Sequence, residues 1–158
     1  MGLIEIRNQY HLSQSNAAAL AGIPLRTYIR YENDEDYGSE LKREMIITKI
    51  TKECEITETK GILTIEKIKD DITQIIENEY KGHVQAVYLF GSYAKGYATE
   101  RSDVDLAAYT DLTGFHFYGF VEDLRQALHK KVDFVCLDRI SNNLELLPEI
   151  LKDGIKIY

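Results

Sequence analysis

The chain has 158 residues, 44% of them hydrophobic and 28% charged, with a formal net charge of −7. That length suits one ordinary domain, or a small domain joined to a compact one. The composition is that of a globular protein, the acidity argues against nucleic-acid binding by the whole surface, and no apolar run approaches the ~20 residues of a membrane span.

In chain order, "MGLIEIRNQYHLSQ" lacks a signal-peptide pattern, and a cytoplasmic protein without membrane association is expected. "LIEIRNQYH" has Leu3, Ile6 and Tyr10 at helical spacing. A second helix follows Ser13 as N-cap, with Ala17, Leu20 and Ala21 on one face and Gly22 as its stop. A third restarts near Pro24. Helix, tight glycine-containing turn and helix are the outline of a helix-turn-helix. In detail, "LSQSNAAALAGIPLRTYIRYEND" resembles the core of the repressor-like helix-turn-helix family over roughly residues 2–34, matching at Gln14, Ala18, Gly22, Ile23, Tyr31 and Glu32. The resemblance implies that Leu25, Arg26, Thr27, Tyr28 and Arg30 face the major groove of operator DNA, read by a homodimer. The competing reading is a helical packing domain without DNA binding, because the arginines are few and the acidic "ENDEDY" follows at once.

Another helix, roughly Ser39 to Lys52, completes an all-α domain over residues 1–54. "ECEITETKG" loses apolar periodicity and is read as a seam, with a linker over 55–62. Cys54 and Cys136 alone do not make a disulfide framework. From Leu63 to about Tyr80, Ile65, Ile68, Ile72, Ile75 and Ile76 form a helical stripe. Short apolar runs then predict strands at Val84–Phe90, Val104–Tyr109 and Val132–Leu137. A helix from about Phe115 to His129 lies between the last two, a closing helix spans Leu144–Lys152, and "IKIY" ends the chain. The aromatic cluster Phe115, Phe117, Tyr118 and Phe120 is expected in the core. His116 and His129 lack a partner at metal-ligand spacing. The fold class over residues 63–158 is therefore α/β, around a small sheet.

Aspartate has low β-propensity and is costly to bury unpaired, yet Asp103 and Asp105 lie in the second apolar run. Two apart on a strand, they project on one face, where like charges repel unless a cation intervenes. Mg²⁺ prefers such carboxylates and keeps positions open for substrate phosphates. Asp133, opening the next strand, can close the site, and three carboxylates can hold the paired metals of phosphoryl-type transfer. Residues 63–158 hold 11 basic and 16 acidic residues, so this part needs cations. Gly91 and Ser92 end the preceding strand, where a turn into a helix offers N–H donors to an anion and glycine permits close backbone approach.

"LFGSYAKGYATERSDVDLAAY", with "KKVDFVCLD" downstream, closely resembles the minimal nucleotidyltransferases of the DNA polymerase β-like superfamily. The resemblance covers about residues 63–158 and implies a small mixed sheet flanked by helices. It also implies that Gly91 and Ser92 bind the triphosphate of ATP, that Asp103, Asp105 and Asp133 ligate Mg²⁺ (two ions), and that Asp133 is the base for the acceptor hydroxyl. Lys95 and Arg101, in the intervening loop, are assigned to phosphate charge. Small enzymes of this kind are similar to antitoxins that attach AMP to a tyrosine of a partner HEPN-type toxin, which is the expected function. The alternatives are a DNA-binding regulator whose nucleotide site senses NTP, and an antibiotic-modifying nucleotidyltransferase. The latter ranks last because its extra helical domain normally follows the catalytic one, and here the chain ends about 25 residues after Asp133.

Overall fold

The computed structural model describes residues 2–140 and 146–158. The chain divides into two compact units, Met1–Glu55 and Ile56–Tyr158.

The first unit contains α1 (Leu3–Gln9), α2 (Gln14–Ala21), α3 (Leu25–Asn33) and α4 (Glu40–Cys54). Ser13 caps α2 by accepting from the Asn16 N–H at 3.1 Å, and Ser39 caps α4 through the Lys42 N–H. Gly22 ends α2 in the left-handed region, φ 69°, so that Ile23 and Pro24 can turn the chain into α3. Leu3, Ile6, Ala17, Ala18, Ala21, Tyr28, Tyr31, Ile46 and Ile50 form its core. Buried Glu32 binds the first three helices together: it accepts from Arg7 Nε at 2.6 Å and from Gln14 Nε2 at 2.5 Å. Gln14 and Glu32, two positions of the helix-turn-helix resemblance, are thus direct partners.

Tyr28 departs from its expected place on a DNA-facing surface. It is fully buried, and its hydroxyl has no hydrogen-bond partner among the described residues. The reason is periodicity: Tyr28, Tyr31 and Glu32 lie at i, i+3 and i+4, the inward stripe of α3. Leu25, Arg26 and Arg30 are exposed and Thr27 is half-buried. Arg30 lies 4.5 Å above the Tyr37 ring.

In the second unit, residues 56–62 are packed rather than free. Thr57 and Lys60 form a bridge, Ile56 lies against the core, and the Gly61 N–H donates to Glu100 Oε1 at 3.3 Å. The stripe expected from Leu63 to Tyr80 forms α5 (Ile65–Ile75), capped by Thr64, and then a π-helical turn over Ile76–Tyr80. The next elements are β1 (Val84–Phe90), the single-turn α6 (Gly91–Lys95), β2 (Val104–Thr110), α7 (Gly114–Leu128), β3 (Val132–Cys136), α8 (Leu146–Asp153) and β4 (Ile155–Lys156). The expected start of the closing helix at Leu144 falls outside the described residues.

The sheet is mixed, in the order β3-β2-β1-β4, with β2 and β3 parallel and the other neighbours antiparallel. Alternation along the strands divides the side chains between two faces. Val87, Leu89, Val104, Leu106 and Ala108 meet Ile68, Ile72, Ile76, Phe120, Leu124 and Leu128 of the helices on one face. On the other, Phe90 and Ala107 meet Leu137 and Ile150. The aromatic cluster of α7 divides likewise: Phe120 is buried and Phe117 packs on Phe134, but Phe115 and Tyr118 are 95% and 71% exposed. Helical spacing turns these two away from the sheet, correcting their expected core placement. Among the described residues, no helix is long and apolar enough to cross a membrane.

Candidate active site

The antiparallel β1–β2 pair sets Phe90 opposite Asp105, and the parallel β2–β3 pair sets Asp105 beside Asp133. Asp103, two residues before Asp105, shares its side of the sheet. Sheet register therefore gathers all three carboxylates at one end, on the face that also carries Ala107, Val135 and α8. The Val104 N–H donates to the Lys131 carbonyl at 2.8 Å, fixing the starts of β2 and β3 against each other.

Gly91 follows β1 with φ 68° and lies directly against this cluster. A Cβ there would stand 2.1 Å from Asp105 Oδ2. The close approach that its sequence position suggested is thus made, within the protein, by the Asp105 carboxylate. Half-buried Ser92 follows in α6, and its carbonyl accepts from the Tyr97 N–H at 3.1 Å.

Asp105 is pushed up to about 6, first by burial, then by the charges of Asp133, Asp103 and Glu149. Such mutual repulsion is relieved by a cation. Among the described residues, no three His, Cys, Asp or Glu side chains converge into a ready-made cage. Carboxylate oxygens are hard donors and suit Mg²⁺, which binds through one or two carboxylates and completes its shell with water and substrate phosphate.

The loop from Gly96 to Asp103 is held by groups that its sequence did not single out. Lys130 is completely buried, and its Nζ donates to the carbonyls of Glu100 (2.5 Å) and Lys60 (3.3 Å). Within the loop, the Thr99 N–H donates to Ser102 Oγ at 2.8 Å. Arg101 is exposed on this turn. Lys95 is engaged by Glu149 of α8. Glu149 and Lys130 lack a local signal: one acts from a helix over 40 residues beyond Asp105, and the other looks like an ordinary charged turn residue in "HKKVD".

Residues 70–158 match the family model described as polymerase beta, nucleotidyltransferase. The chain belongs to the polymerase beta nucleotidyltransferase family. It is a nucleotidyltransferase by that membership, with the mixed α/β sheet of the fold. It is similar to two Methanocaldococcus jannaschii proteins named as candidate protein adenylyltransferases. One is 33% identical over 87 residues, covering 52% of this chain and 85% of the relative. The other is 36% identical over 102 residues, covering 59% and 97%. Among solved structures, a toxin–antitoxin complex with AMP-PNP aligns with TM-score 0.49 and 26% identity, over 57% of this chain and 72% of the other. A tri-AMPylated Shewanella oneidensis HEPN toxin in complex with its MNT antitoxin aligns with TM-score 0.47 and 23% identity, over 60% and 72%.

Proposed function

We propose that this nucleotidyltransferase moves AMP from ATP to a protein hydroxyl, a tyrosine of a partner HEPN-type toxin, and so serves as the antitoxin of a two-gene module. The observation that carries the reading is the register that gathers Asp103, Asp105 and Asp133 beside Gly91. The names of the M. jannaschii relatives support a protein acceptor.

In this reading Asp103, Asp105 and Asp133 hold Mg²⁺, which when bound neutralises charge around the α-phosphate. Gly91 and Ser92 offer backbone N–H groups and a hydroxyl to the triphosphate. Asp133, exposed where Asp103 and Asp105 are half-buried, takes the proton of the incoming hydroxyl. The new bond joins that oxygen to the α-phosphorus, and pyrophosphate leaves. Positioning and electrostatics supply the catalysis. The test is transfer of label from α-labelled ATP to the purified product of the adjacent gene, beside an Asp103→Ala/Asp105→Ala control. Label on a tyrosine that vanishes in the control is expected. Unlabelled partner, with label on a small molecule instead, contradicts the proposed acceptor.

A second role for the first unit is favoured by the exposure of Leu25, Arg26 and Arg30 on α3, directly after the Gly22–Pro24 turn. We propose that they contact operator DNA as a homodimer, without Tyr28. Salt-dependent binding to the upstream DNA, weakened by Arg26→Ala, is the expected result.

A further inference from the structure

Helix α8 lies on the carboxylate face of the sheet, where Ile150 packs with Phe90, Ala107 and Leu137. That seating puts two acids one helical turn apart, Glu149 and Asp153, beside the end of α6. Lys95 Nζ lies 2.5 Å from Glu149 Oε1 and 4.0 Å from Asp153 Oδ2. Lys95 is the last residue of the helix that Gly91 and Ser92 begin. The lysine assigned to phosphate is therefore already engaged by carboxylate.

The pair is not sealed away: the Lys95 and Glu149 side chains are 29% and 36% exposed. Ion pairs with such access to water are weak and exchangeable. A triphosphate beside Gly91 and Ser92 would offer the same ammonium several anionic oxygens. An ammonium on a flexible four-carbon stem can move between the two partners.

We propose that Glu149, backed by Asp153, is a positioning residue that competes with nucleotide for Lys95. It holds the ammonium in the nucleotide-free chain and yields it to the triphosphate, and thereby sets nucleotide affinity. The proposal rests on reading the site as one for Mg²⁺ and ATP. It gives α8 a role in substrate binding that neither the family match nor the loop motif specifies.

The experiment is calorimetric titration with Mg²⁺ and AMP-PNP, which reports binding without turnover, on the full chain and four variants. Glu149→Gln keeps the side-chain shape and removes the charge, and is expected to tighten binding about three- to fivefold, the scale of an exposed ion pair. Asp153→Asn, at the longer distance, should give a smaller gain. Lys95→Met should weaken binding, and the gain from Glu149→Gln should be much smaller when added to Lys95→Met than in the wild-type chain. Equal gain from Glu149→Gln with and without Lys95 would mean simple repulsion of the nucleotide and would overturn the proposal. Unchanged or weaker binding in Glu149→Gln would overturn it as well, reducing Glu149 to a support for α8. If the wild-type chain bound no nucleotide at all, the ATP-site reading would fail first, an outcome distinct from the other two.

Discussion

Gly91 and Asp105 occupy one another's space, and this fixes what each can tolerate. A methyl group at Gly91 would collide with Asp105 Oδ2 and strain a backbone at φ 68°. Gly91→Ala is expected to displace the carboxylate and lower transfer by about 100-fold, the cost of roughly 1 Å of misplacement. Steady-state kinetics checks this, and near-normal rates would contradict it. Asp105 also makes the metal-free protein sensitive to pH. Its folded pKa is raised to about 6 from 3.8, so between those values the folded chain binds more protons than the unfolded one. Stability contributed by this group is therefore present at low pH and lost as pH rises through that window. Thermal melts without Mg²⁺ should show Asp105→Asn above wild type at pH 7.5, with the gap narrowing at pH 5. Mg²⁺ should bind more weakly below pH 6, where protons compete for the same oxygens. Glycine's permissiveness was legible in "FGS", but its partner was not, because the contact depends on β1 and β2 lying in register.

At the scale of elements, periodicity located the helices and strands well, and its failures have physical causes. The isoleucine stripe from Ile65 to Ile76 was readable, whereas its change into a π-helical turn over Ile76–Tyr80 left no compositional mark. Phe115 and Tyr118 suggested core by residue type, yet they lie on the outer side of α7. Tyr28 erred the other way: a surface role carried over from a resemblance lost to the inward stripe of α3. The segment 55–62 read as linker because it lacks apolar period, but within the second unit Lys60 and Gly61 are tied down by backbone groups that Lys130 and Glu100 engage. Lys130→Met keeps much of the stem and deletes the ammonium, leaving two carbonyls without that donor. A loss of about 2–3 kcal/mol is expected, as for buried hydrogen bonds to a charged group. Urea denaturation measures it, and hydrogen exchange should rise at residues 60 and 96–103 before the strands. An unchanged denaturation midpoint would contradict this account of the loop.

For the whole molecule, two compact units divide an acidic chain between a helical bundle and a mixed-sheet nucleotidyltransferase. The candidate site was legible because its proposed residues cluster in one stretch, Gly91 to Asp105, with a single distant acid, Asp133, brought beside Asp105 by parallel pairing. Glu149 was not legible because only tertiary packing of α8 brings it near Lys95. The central claim is nucleotidyl transfer at three carboxylates, and one paired measurement tests it most directly. The chain and its neighbouring gene product are incubated with Mg²⁺ and ATP labelled at either the α- or the γ-phosphate. The account predicts α-label on protein, γ-label in released pyrophosphate, and neither with Asp103→Ala/Asp105→Ala. Protein labelled from the γ-position would mean phosphoryl rather than nucleotidyl transfer and would contradict it.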